Sequence, residues 1–357
     1  MGLGFVLATA PVYIVEIATT DMRGLLGCFV QFFGGVGVLF SFILGAFLNW
    51  WQLAGAMIVM IVPFVIGMVF APESPRWLFL QGRDIEAHKS LEWLRGKNQE
   101  SVIALEVAEI RKENKDKLEN KVTAKDLLEP ATLRPFMITL TMYFFLNMSG
   151  MNIMIFYCNS IFFYSGSNID SNVASIIVAI ILLFSSFIAI GIITKLNRKI
   201  ILISSMFGMG VCYVILGGCF YHIEKSLQDQ AAGLPAQDNQ FGWVPPLAIL
   251  TLLFLGNGGY GTLIWVVIAE LLPPKVRAIG NAFIICFGFI LGFIVSKTFV
   301  DLTISIGASG TFWLYAGVCL LGSIFTFFCV PETKGKSIEE IQRMFTKSLN
   351  NEKSETI

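Results

Sequence analysis

The feature that most constrains this chain is a series of apolar runs, most of them long enough to cross the hydrocarbon core of a bilayer, which takes about 20 residues of helix. They fall at 2–17, 25–48, 51–71, 135–158, 173–194, 200–221, 244–271, 279–299 and 311–330. Each run is continuous and not alternating, so it predicts a helix and not a barrel strand. A helix closes its backbone hydrogen bonds within the segment, where no water is present to satisfy them. Composition points the same way. Of 357 residues, 55% are hydrophobic and 14% charged, against about 25% charged in soluble domains. A water-soluble enzyme of this composition would expose a large apolar area. The 25 basic and 25 acidic residues balance, which leaves no cationic excess for nucleic acid. The expected fold class is an all-α polytopic membrane protein.

Residues 72–134 break the pattern. This stretch is charged, and ESVIALEVAEIRKENKDKLENK within it predicts an amphipathic helix with Val102, Leu105 and Ile110 along one face. The predicted order is therefore helical bundle 1–71, loop domain 72–134, second bundle 135–330 and tail 331–357. Cations fix the orientation. Arg23, the loop 72–134, KLNRK at 195–199, the turn ending at Arg277 and the tail share one side and hold 23 of the 25 Lys and Arg residues. That places the loop and tail in the cytoplasm.

The two halves repeat. Glu16 precedes Arg23 by seven residues, and Glu270 precedes Arg277 by seven. Two spans later comes a Pro-Glu turn in each copy, PESPRW at 72–77 and PETKGK at 331–336. Three spans precede the Glu/Arg segment in the second copy and none in the first. The symmetry predicts a twelve-span carrier lacking its first three spans; the alternative is a genuine nine-span protein.

The motifs PVYIVEIATTDMRG (11–24), PESPRWL (72–78), LRG (94–96), SGMNIMIFY (149–157), IWVVIAEL (264–271) and PETKGKSIEEI (331–341) resemble, in order, those of the sugar porter family of the major facilitator superfamily. Within it the chain is similar to the insect facilitated trehalose and glucose carriers. The resemblance implies the major facilitator fold, with nine of twelve helices present. It also implies alternating-access transport of a hexose or trehalose-like sugar, with no enzymatic activity, cofactor or metal. The charges Glu16, Arg23, Glu73, Arg76, Glu270, Arg277, Glu332 and Lys334 stand at membrane ends. There they can pair across helices as a latch that opens as the halves rock, or anchor helix ends at the interface.

A sugar site needs amides and hydroxyls converging on ring hydroxyls, with aromatic rings against the apolar ring face. Amides are scarce in these spans, which singles out Gln31, Asn147, Asn152 and Asn257; a lone amide can also join helix to helix. By the resemblance, Gln31, Asn147, Asn152 and Trp265 occupy substrate-contact positions, and Phe156 and Tyr157 stand where an aromatic pair gates the outer side. The chain departs from the family pattern at Leu146, Thr262, Ile264, Gly288 and Phe289, and at Thr194 and Asn197 in the cytoplasmic turn. Several sugar contacts change together, which leaves open a changed substrate or a transport-deficient paralogue acting as a sensor or interaction protein. A chain that does not fold alone is a further reading. Acidic residues stand only at span ends, as at Glu16, Glu270 and Asp301, which favours facilitated diffusion over proton coupling.

The remaining signals are weak. All seven cysteines fall inside predicted spans and read as packing residues. His88 and His222 are far apart in sequence, and no Lys-Ser/Thr follows the glycines of FFGGVGVLF, so neither a metal centre nor a phosphate loop is predicted. The plasma membrane is the expected location, with lipid and a sugar as partners.

Overall fold

The computed structural model describes residues 13–14, 16–18, 23–96, 100–119, 130–164, 170–231, 242–273, 276–334, 340 and 344–345. Described residues form helices, turns and bends, without strands. Among the described residues, six helical stretches are long and apolar enough to cross a membrane. Nearly all of the predicted span 2–17 lies outside the described residues. The chain divides into two compact units, Met1–Phe33 with Phe47–Asp126, and Gly34–Ala46 with Leu127–Ile357.

In the first unit, α2 (Trp50–Phe70) follows Asn49, whose backbone N–H donates to Gln52 Oε1 at 3.1 Å, the returning half of a capping box. Its residues are apolar, and it buries none of them among the described residues. Such a helix is stable in lipid, because the backbone is satisfied internally and the side chains meet a solvent as apolar as themselves. The next turn is shaped by its own sequence. Ser74 accepts the Trp77 N–H at 3.3 Å, and Pro75, which has no N–H to lose, opens α3 (Pro75–Leu80).

Helices α4 (Asp84–Arg95) and α5 (Glu100–Glu119) pack on α3 around Leu78, Phe79, Ala87, Leu91, Ile103, Val107 and Ile110. The sequence reading of the α5 face is corrected here. Val102 and Leu105 are exposed, at 46% and 74%, and the buried stripe is Ile103, Val107 and Ile110. At about 100° per residue these three lie within about 60° of one another around the helix, whereas Val102, Leu105 and Ile110 spread over about 140°. The narrower arc is the one a small core can cover.

Helix α1 (Arg23–Phe47) is shared between the units. The second unit continues with α6 (Pro130–Met148), α7 (Met151–Phe156), α8 (Cys158–Tyr164), α9 (Ser171–Lys195), α10 (Arg198–Ala231), α11 (Val244–Leu255) and α12 (Thr262–Leu271). A π-helical turn, Gly256–Gly261, joins α11 to α12. The last element, α13 (Arg277–Cys329), is two helices joined at Gly307, whose φ is +79°. These match the predicted spans from 135 to 330. The core is large and sulfur-rich, with Met142, Met154, Met206 and Met209 all fully buried beside Leu202, Tyr213 and Tyr260.

Replacing Leu91 with Ala leaves a cavity at the centre of the small cluster and should cost about 2–5 kcal/mol of local stability. Limited proteolysis between residues 75 and 119 checks this. Cleavage should rise sharply for Leu91→Ala and little for Leu91→Met.

Candidate functional site

The apolar run 135–158 is broken where the sequence reads Ser149–Gly150. Gly150 takes φ +71° and caps α7, a conformation in which a Cβ is strained. Nearby side chains fold back on the backbone. Asn147 Nδ2 donates to the Tyr143 carbonyl at 2.9 Å, and the Ser149 hydroxyl donates to the Leu146 carbonyl at 2.6 Å. Beyond the break, Asn152 is exposed. Phe156 is 73% exposed, and the Tyr157 ring lies 4.9 Å from that of Phe299. Ile155 and Phe156 line a cavity of about 410 Å³ together with Gly34, Gly37, Val38, Ser41 and Phe42 of α1. Gln31 belongs to the same helix, but its side chain lies outside the described residues.

The second interruption is GNGGYG. Asn257 is buried, and its Nδ2 stands 2.9 Å from the Leu182 carbonyl, 2.9 Å from Ser185 Oγ and 2.8 Å from Ser186 Oγ, all on α9. The Thr262 hydroxyl donates to the Asn257 carbonyl at 2.7 Å, so a residue that departs from the family pattern satisfies a carbonyl of the turn. The glycines here permit close approach. A Cβ at Gly259 would stand 2.4 Å from Ser205 Cβ, and one at Gly256 would stand 2.8 Å from Met151 Sδ. The first residue of α7 therefore seats in the π turn. Trp265, one turn into α12, is 42% exposed and meets Tyr143 edge-on, with ring centroids 5.4 Å apart.

At one end of the second unit, Arg198 forms an ion pair with Glu270. Glu332 accepts the backbone N–H groups of Arg198 at 3.2 Å and Lys199 at 3.1 Å, and that of Lys334 at 2.9 Å. A carboxylate on exposed N–H groups at the positive end of α10 is stabilised by the helix dipole. Lys334 Nζ donates to the Lys195 carbonyl at 2.7 Å, and Arg277 donates to the Leu272 carbonyl at 3.2 Å and 3.4 Å.

In the first unit the Ser74 hydroxyl donates to Glu16, Tyr13 donates to the Pro72 carbonyl at 2.7 Å, and Ser90 donates to the Glu73 carbonyl at 2.7 Å. Arg95 grips Glu106 with two bonds of 2.7 Å and 2.9 Å and donates to the Ile17 carbonyl at 3.0 Å. The Arg23 side chain lies outside the described residues, and Arg76 sits half-buried on α3.

Reading the sequence missed Arg198, Arg95, Ser74 and Glu224. The last, near the opposite end of α10, accepts the Ala308 N–H at 2.7 Å and the Ser309 hydroxyl at 2.7 Å. It thus caps the second helix of α13 where Gly307 turns. Arg95 stands in LRG, Ser74 in PESPRWL and Arg198 in KLNRK, so each lay within a stretch the sequence had marked; for Glu224 no signal existed beyond charge. No metal-ligating cluster occurs among the described residues.

Apolar helices, two of them interrupted and with polar groups gathered at the interruptions and ends, define a multi-pass membrane protein of the major facilitator fold. A profile described as "Sugar (and other) transporter" matches residues 1–345, and the chain belongs to that family. It is 38% identical over 342 residues to a protein of Drosophila simulans named facilitated trehalose transporter Tret1-2 homolog, covering 96% of this chain and 68% of the relative. It is 37% identical to the facilitated trehalose transporter Tret1 of Aedes aegypti, of which it spans 41%. Among solved structures it is similar to the proton:xylose symporter XylE bound to 6-bromo-6-deoxy-D-glucose, with a TM-score of 0.74 and 25% identity. That match covers 96% of this chain and 72% of the symporter.

Asn257→Ala removes the donor shared among three α9 acceptors and should cost about 1–3 kcal/mol. A thermal melt in detergent checks it; Asn257→Gln should recover little, because the longer side chain overfills a closed notch.

Proposed function

We propose that this chain moves a sugar of hexose or trehalose size across a membrane by facilitated diffusion and alternating access. The observation that carries this reading is the break at Ser149–Gly150. It leaves Asn152 exposed and sets Ile155 and Phe156 in the lining of a cavity of about 410 Å³, in a chain of the transporter family. The names of the two insect relatives, and the xylose and glucose analogue of the solved structure, support a sugar as cargo. Gln31, Asn147, Asn152 and Trp265 are the proposed sugar contacts, and Phe156 and Tyr157 the outer aromatic gate. Asn257 serves by holding the π turn, and with it Trp265, on α9.

The end charges Glu16, Arg23, Glu73, Arg76, Glu270, Arg277, Glu332 and Lys334 are read as the latch of one end state. Glu270 enters it through Arg198. The latch must be weak enough for a ligand's differential affinity to move the equilibrium, since a ligand with equal affinity for both states shifts nothing. Acidic residues stand at span ends, which supports facilitated diffusion without a coupling ion. The domain order is read as helical bundle 1–71, loop domain 72–134, second bundle 135–330 and tail 331–357. The loop and tail face the cytoplasm, the chain lies in the plasma membrane, and neither enzymatic turnover nor nucleic acid has a part.

Membrane vesicles holding the chain should take up labelled hexose or trehalose saturably. Asn152→Ala and Gln31→Ala should each reduce uptake about tenfold, the equivalent of roughly 1.4 kcal/mol for one lost hydrogen bond. Uptake equal to that of empty vesicles across mono- and disaccharides would overturn the reading.

A further inference from the structure

We propose that Tyr143 is a specificity-determining residue that limits the size of the sugar accepted, an inference that rests on the sugar-transport reading above. Gly288 of α13 is buried against the Tyr143 ring. A Cβ at Gly288 would stand 1.8 Å from Tyr143 Cε1 and 2.5 Å from Cδ1, so no side chain fits there while the ring keeps its place. The phenol fills the volume that any larger residue at 288 would take.

The ring has a further aromatic neighbour. It stands edge-on to Trp265, with centroids 5.4 Å apart and planes at 65°. The backbone carbonyl of Tyr143 accepts the Asn147 amide at 2.9 Å, so a proposed sugar contact stands one turn along the same helix. A Cβ at Gly292, one turn beyond Gly288, would lie 3.6 Å from Asn147 Oδ1. Three helices, α6, α12 and α13, thus meet in one wall at Tyr143, with Trp265 beside it 42% exposed.

Such a wall discriminates by volume. Truncating the ring leaves a void beside Trp265, since packed helices relax into a cavity only in part. A ligand with one more substituent or ring gains the space, and the present ligand loses its contact. Discrimination of about tenfold is typical of a change as small as one methylene in an apolar pocket, and a phenol is larger.

Two measurements on the full chain test this. In reconstituted vesicles, the ratio of kcat/KM for trehalose to that for glucose should rise at least about tenfold in Tyr143→Ala. Tyr143→Phe keeps the ring and should keep the wild-type ratio. In detergent, Gly288→Ala should lower the Tm of the wild-type chain and leave that of the Tyr143→Ala chain almost unchanged. An unchanged ratio in Tyr143→Ala, with wild-type transport intact, overturns the size-limiting role and leaves the transport reading standing. An equal Tm loss from Gly288→Ala in both backgrounds overturns the packing on which the role depends. Coupled melting with no sugar moved by wild type or variants overturns the transport reading, and the size-limiting role with it.

Discussion

In lipid, a backbone N–H or C=O that finds no partner costs several kcal/mol, and this constraint governs where polar side chains can stand in the second unit. At several interruptions and helix starts a side chain reaches the backbone groups there. Thr262 reaches the Asn257 carbonyl inside the π turn, and Ser149 and Asn147 reach carbonyls one turn back before Gly150. Glu332 and Glu224 cover the N–H groups that open α10 and the second helix of α13. The interruptions are therefore stable features rather than frayed helix, and transport chemistry can be built on them.

The same economy shapes the site. Asn257 has its amide hydrogens directed at α9, and Asn147 has its amide directed at Tyr143. Asn152, just past the break, is exposed and makes no hydrogen bond through its amide among the described residues. The break is what frees it: a residue on a continuous α6 would follow the helix past the site, whereas α7 starts afresh from a left-handed glycine. Aromatic rings supply the remainder, with Trp265 against Tyr143 and Tyr157 against Phe299.

Much of the fold was legible because bilayer thickness writes itself into apolar run length, and 173–194 or 311–330 can be read as helices with no knowledge of their neighbours. The breaks at Gly150 and GNGGYG, inside runs that read as continuous, were less so. Long-range partners were not. Arg198 counted merely as a cation in KLNRK until the structure brought it to Glu270 and Glu332. The reason for glycine at 288 depends on a tyrosine on another helix. On α5, Val102 and Leu105 are as apolar as Ile103 and Val107, and three-dimensional neighbours chose between the two arcs. Residue type reveals what a side chain can do, and register against a partner decides which one does it.

Glu332 has a practical meaning for anyone handling this chain. The carboxylate that ends the last helix's exit turn also closes the start of α10, and Lys334 is fastened to Lys195 two residues later. The route out of the bundle is stitched down within the first residues of the tail. A fluorescent protein or affinity handle joined beyond Lys334 leaves that stitch in place. A fusion junction placed before Glu332 would remove the stitch and unsettle a helix whose sequence had not been touched.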